Sequence, residues 1–374
     1  MNGKDIHDAV EYVGHDLIDL AEKRRFSRPF WQSALPVAAM LAVLLGLGAF
    51  TLRYVRVPAP VLSTSAELRT PDLQEPPAQE DPEPIFEVHP LTKQFPQLDE
   101  STLDHDAEQD WSNFCVNEAG LDDNGTEIYT IHGDQVLAID AKNGILLIRI
   151  RGEEYQGVLA IVNDPTKLSL QSSSQLGTAG ETVGTIAEAH NGVLAVNASS
   201  FIDDTGDKNG GILAGYAMSD GMEYNSNNHL GETYSRLEID SNGQFSIVAS
   251  NAAVSHDVQN AMETIPAMIV GGVVQNELHT MWNGTHPRSC IGQTADGTVL
   301  ILVIEGRMPE RSLGASMPVC TEILIRYGSV QAVGLGSGTS AILWYDGDYV
   351  TKCSNQMLTE GRPLPNAFVV ERAE

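Results

Sequence analysis

The spacing of apolar positions changes character along the chain. Ile6, Val10, Val13, Leu17 and Leu20 recur at alternating steps of four and three, with Asp5, Asp8, Asp16 and Asp19 between them. That period predicts one amphipathic helix. From Ala34 to Leu52, nineteen residues carry no charge, and only Pro36 and Thr51 interrupt Ala, Val, Leu, Gly, Met and Phe. At about 1.5 Å per residue this run spans the ~30 Å hydrocarbon layer, so residues 34–55 are expected to form a transmembrane helix. From Pro58 to about Asp110 periodicity is lost among nine prolines, acids and glutamines. Such a stretch cannot offset its chain entropy by burial, and residues 56–110 are expected to be a disordered, extended linker.

After Gly125 short aliphatic runs bounded by Gly, Asn, Asp or Pro take over: Val136–Ile139, Ile145–Ile150, Val158–Val162, Val193–Val196, Met268–Val270 and Val299–Ile304. These read as strands. Val299–Ile304 is apolar at every position, as in a central strand covered on both faces. Helices are fewer: Glu181–Ala189, and Pro318–Tyr327 with Ser316 as cap and Gly328 just past the end. Strands outnumber helices without βαβ alternation. The expected fold is α+β, a mixed β-sheet domain with few helices over residues 125–374.

Charge fixes the expected orientation. Lys23, Arg24, Arg25 and Arg28 precede the apolar run, while Arg53 and Arg56 follow it. The basic excess keeps residues 1–29 in the cytoplasm and sends the C-terminal domain outside, as a single-pass cell-membrane protein. The helix 6–20 could meet a cytoplasmic partner helix. A net charge of −28, from 50 acidic against 22 basic residues, with no basic patch beyond the membrane flank, argues against nucleic acid as a partner. Cys115, Cys290, Cys320 and Cys353 show no CxxC spacing, so no zinc site is expected. They leave both disulfides and buried free thiols open.

Several segments of the domain follow one another in a telling order: GVLAIVNDPTKLSL (157–170), VLAVNASSFIDDTGDKNGG (193–211), MIVGGVV (268–274), HPRSCIGQTADGTVLILVIEGR (286–307), RSLGASM (311–317), YGSVQAVGLGSGTSAILWY (327–345) and GRPLPNAFVV (361–370). In that order and spacing they resemble the phosphodiester glycosidase domain family, whose bacterial members occur in exopolysaccharide settings. The resemblance implies hydrolysis of a sugar joined through its anomeric carbon to a phosphodiester. Phosphate leaves with little protonation, so what remains essential is a base or nucleophile at the sugar carbon and a cation for the phosphate.

Onto that chemistry the resemblance places Arg288 as the phosphate fork and Arg307 as a second contact. His286 stands beside the phosphate, Asn197 against the sugar or its own loop, and Ser337 and Gly338 complete the substrate-binding set. Three positions depart from the family pattern. Gly336 stands where relatives carry an aspartate; Ser199 and Ser200 replace two glycines, which would narrow the pocket or forbid a positive φ; and Glu305 replaces an aspartate. If chemistry persists, Glu305 and Asp203 are the expected catalytic carboxylates. No cofactor is expected. The loop Asp203–Gly211 invites a divalent cation, but Lys208 sits where an EF-hand needs glycine. The G-rich turn 334–340 lacks the lysine of a P-loop, and Ser337 and Ser340 lack a nucleophile elbow.

The expected function is therefore a membrane-anchored, extracytoplasmic phosphodiester glycosidase-like domain acting on sugar-1-phosphodiester linkages of cell-surface glycans or glycopolymers. The rivals are a catalytically silent glycan-binding module and a membrane sensor signalling through helix 6–20.

Overall fold

Val299–Ile304 lies in the middle of a nine-stranded sheet, and its sequence explains why. Val299, Ile301 and Val303 face one core together with Leu194, Phe368, Leu237 and Met262. Leu300, Leu302 and Ile304 face a second core with Leu146, Cys320 and Leu324. A strand buried on both faces has no position to give to a polar residue.

The computed structural model describes residues 88–104, 110–113, 115–117, 126–202, 209–225, 229–231, 233–275 and 282–374. These belong to one unit, Pro82–Glu374. The expected helix 6–20, the apolar run 34–52, the linker up to residue 87, and Asp203 with its neighbours to Lys208 lie outside the described residues. Among the described residues no helix is long and apolar enough to cross a membrane.

The large sheet runs in the order Cys115–Asn117, Val136–Asp140, Ile145–Arg151, Gln156–Val162, Val299–Ile304, Arg288–Thr294, Ser329–Gly334, Ala267–Val270 and Val273–Val274. A second sheet of five strands centres on Gly192–Asn197, flanked by Leu343–Tyr345 and Asn366–Glu371. A third sheet of five centres on Val258–Thr264, between Ala217–Ser219 and Ser235–Asp240. Helix Met317–Arg326 covers the outer face of the large sheet through Met317, Cys320, Ile323 and Leu324. Ser316 caps its first turn by accepting from Val319 N, Pro318 sits in that turn, and Gly328 follows the end at φ 86°. The shorter helix Val183–Ala189 covers the second sheet and starts two residues later than its sequence pattern suggests. Thr182 is its cap, and Glu181 instead bridges to Leu364.

Two expectations change. The sheets are not mixed: every strand pairing among the described residues is antiparallel. Tight turns join neighbours such as Val136–Asp140 and Ile145–Arg151, whereas a parallel pair needs a long crossover. The folded part also begins earlier than residue 125 and reaches into the stretch read as linker 56–110. His89 opens a one-turn helix, Pro90–Gln94, whose Leu91 and Phe95 are buried with Leu98 and Leu103 against the outer face of the large sheet. Four well-spaced apolar residues supply the burial that the proline-rich composition concealed. The four cysteines carry free thiols, with Cys115 exposed and the other three buried.

The ring of Phe95 is fully buried. Phe95→Ala should therefore lower stability by about 3–5 kcal/mol in urea unfolding of the full chain. An unchanged midpoint would remove residues 88–104 from the cooperative core.

Candidate functional site

Asn197 ends the central strand of the second sheet and is 1% exposed. Its Nδ2 donates to Gly336 O at 2.6 Å, and its Oδ1 accepts from Ser289 Oγ at 2.7 Å and from Ile342 N at 3.2 Å. One amide thus ties the second sheet, the large sheet and the turn Leu335–Gly338 together. Backbone bonds finish the job: Leu335 N donates to Ser289 O, Gly336 N to Ala198 O and Gly338 N to Pro287 O. Asn197 organises the site. Ser289, which the sequence reading passed over, is its anchor in the large sheet.

Against this turn lies Arg307. It is exposed, and its backbone sits at φ 60°, a conformation uncommon outside glycine. A Cβ added at Gly338 would stand 3.3 Å from Arg307 Nη2, so the guanidinium rests on bare backbone. Among the described residues Arg307 has no carboxylate partner. His286 lies within the influence of both arginines, since partial desolvation first, then Arg288 and Arg307, hold its imidazole below the ordinary value.

Arg288 is placed differently. Buried to 3% exposure, it donates Nε to Ala315 O at 3.1 Å and Nη2 to Gly284 O at 2.7 Å, with its guanidinium carbon 5.8 Å from the Trp282 ring centre. Burial, followed by the charge of Arg307, pulls its pKa down. It is a buried cation held by carbonyl dipoles and an aromatic face.

Glu305 does not meet it. Arg288 pairs in register with Ile304, which faces the outer core, and alternation turns Glu305 toward the opposite side. There Arg311 grips its carboxylate through Nε and Nη2, and Lys352 N donates to Oε1 at 2.8 Å. Arg288, expected as the phosphate fork, and Glu305, expected as a catalytic carboxylate, therefore sit in two separate clusters. Arg311 stood in the RSLGASM segment without an assigned role; Lys352 contributes a backbone N–H, which no side-chain pattern announces.

The departures from the family pattern are milder than the sequence implied. Neither Ser199 nor Ser200 sits at positive φ. Ser199 is buried, donating its N–H to Asn366 Oδ1 and accepting from Asn366 Nδ2, so its hydroxyl faces the core. Ser200 is exposed. Ser337 donates to Leu335 O at 3.3 Å within the turn. Asp203 lies outside the described residues. Asn209, at the far end of its loop, is engaged by Thr178 O and Gly211 N.

With this geometry in view, residues 190–371 match the family model described as phosphodiester glycosidase. The chain carries a phosphodiester glycosidase family domain. The matched span contains every described residue of the site, from Asn197 to Lys352. An SPbeta prophage-derived uncharacterized protein, YomE, of Bacillus subtilis strain 168 is 27% identical over 202 residues, covering 51% of this chain and 29% of that protein. The chain thus spans less than a third of that relative's length. Among solved structures, the pro-peptide-inhibited catalytic domain of zebrafish N-acetylglucosamine-1-phosphodiester alpha-N-acetylglucosaminidase is similar at TM-score 0.49 and 15% identity, covering 61% of this chain and 82% of that one. A hypothetical protein from Synechocystis is similar at TM-score 0.44 and 14% identity, covering 63% of each chain.

Because the folded-state pKa of His286 is depressed, the fold favours neutral imidazole. Stability from this position is lost as pH falls from the unfolded imidazole value toward the depressed one. Arg307→Gln should raise the His286 titration midpoint in ring NMR spectra of the full chain, and an unmoved midpoint would place the two groups out of electrostatic reach.

Proposed function

We propose that the domain binds sugar-1-phosphodiester units of glycans or glycopolymers, with Arg307 holding the phosphate and His286 beside it. One observation carries this reading: in a chain of net charge −28, the Arg288 and Arg307 charges both act on His286, and neither arginine has a carboxylate partner among the described residues. Such an unbalanced centre, on a left-handed arginine and a glycine that leaves room for it, favours a bound anion. Arg307 offers the planar fork that phosphate oxygens accept. The family match supports a phosphodiester-linked sugar as the ligand class.

Hydrolysis is the second reading, and the retained charge at Glu305 favours it. Its carboxylate is buried two residues before Arg307. Its oxygens are already taken by Arg311 and Lys352 N, so turnover requires Arg311 to release it. The apolar run 34–52, with its basic flank on the N-terminal side, supports a place for the domain at the outer face of a membrane.

Calorimetry of the full chain with a sugar-1-phosphodiester, alongside an assay for free sugar, tests both readings. Binding should weaken about tenfold or more in Arg307→Ala, the size of a lost charge-assisted contact. Binding without sugar release selects the module, release selects the enzyme, and wild-type binding retained by the variant removes Arg307 from the site.

Gly336→Asp restores the family's acid but not its room. The new Cβ would stand 3.0 Å from Asn197 Nδ2, which is already bonded to Gly336 O. The substitution should cost about 1–3 kcal/mol in urea unfolding, and a neutral effect would show that the Asn197 clamp yields freely.

A further inference from the structure

A cavity of about 500 Å³ opens between the segment that follows Arg307 and residues 349–359. Met308, the residue after Arg307, lines it. So does Cys353, whose Sγ donates to the carbonyl of Thr339, the neighbour of the glycine on which Arg307 rests. Tyr349 and Leu358 give it an apolar wall, and Arg311 and Lys352 bring cations to it.

The two cations differ in what they have left to offer. Arg311 has two guanidinium nitrogens on Glu305. Lys352, a half-buried residue, spends only its backbone N–H on Glu305, and its side chain has no carboxylate partner among the described residues. A lysine without a carboxylate partner, on a partly buried residue beside an apolar wall, attracts an anion more strongly than a fully exposed one, because less water screens it. Glu310 also lines the cavity, but it is exposed and more fully screened. Across the segment Pro309–Arg311 a second cavity of about 300 Å³ sets Glu153, Glu154 and Glu310 against Arg151 and Arg311, an acidic balance.

We propose that the 500 Å³ cavity is the subsite for the group on the far side of the phosphodiester, and that it selects a group carrying its own negative charge, such as a further phosphate. The proposal rests on the reading of Arg307 as the phosphate holder. Lys352 then meets the second anion while Tyr349 and Leu358 cover the carbon chain between the two charges. A polymer of repeated sugar phosphates, or a phosphorylated alcohol joined to the sugar phosphate, has this chemistry.

Two ligands separate the subsite from the reading beneath it: the methyl and the 2-phosphoethyl esters of glucose 1-phosphate, titrated calorimetrically into the full chain. The 2-phosphoethyl ester should bind about fivefold more tightly, the size of one partly desolvated ion pair. The affinity ratio should fall to about one in Lys352→Ala, persist in Lys352→Arg and rise in Glu310→Gln, a variant that also serves if Lys352→Ala fails to fold. Equal binding of the two esters by the wild type, or a ratio indifferent to Lys352 and Glu310, overturns the subsite and leaves the phosphodiester reading standing. Binding of neither ester overturns both.

Discussion

The buried amide of Asn197 is bonded from both ends, and the geometry of the site depends on it. Its oxygen takes donors from Ser289 of the large sheet and Ile342 of the loop leading into Leu343–Tyr345, while its nitrogen fixes the carbonyl of Gly336. A polar group this deep is tolerable only when its partners are supplied. Those partners come from three segments far apart in sequence. The same bonds that satisfy the amide therefore set the turn Leu335–Gly338 against Arg307. Hydrophobic packing brings the two sheets together, but packing is non-directional; the amide supplies the register between them.

Electrostatics divides the neighbourhood into a satisfied and an unsatisfied half. Glu305, Arg311 and the Lys352 N–H close on one another, so that each oxygen of the buried carboxylate has a donor. Arg288 is satisfied by carbonyls and Trp282. Arg307 and the ammonium of Lys352 remain uncompensated among the described residues. Both lie beside backbone that leaves space, Arg307 over Gly338 and Lys352 at the wall of a cavity. In so acidic a chain, cations without partners are the scarce resource that an anionic ligand would use.

The positions expected to depart from the family pattern are accommodated unevenly. Ser199 turned inward and found Asn366, so its side chain adds a core hydrogen bond without entering the open space. Gly336 left the turn without its acid and brought the Asn197 amide within 3.0 Å of where a side chain would begin. The first position is compatible with either function; at the second, a structural clamp occupies part of the space a side chain would need.

Much of the fold was readable from residue pattern because strands and helices are local. Six aliphatic runs became strands, and Ser316, Pro318 and Gly328 bounded a helix as capping chemistry requires. The segment motifs sufficed for the family. Strand direction was not readable, since alternation is the same for parallel and antiparallel neighbours. Nor was the packing of Leu91 and Phe95, whose apolar spacing was masked by prolines and acids. The site was legible as a set of residues but not as a set of contacts. Arg288 and Glu305 lie near each other in the paired strands, yet the pleat sends their side chains apart, and Arg311 reaches Glu305 from a loop. Composition and period determine what each segment becomes; which charge meets which partner is decided only when the sheets close and through-space distance replaces separation along the chain.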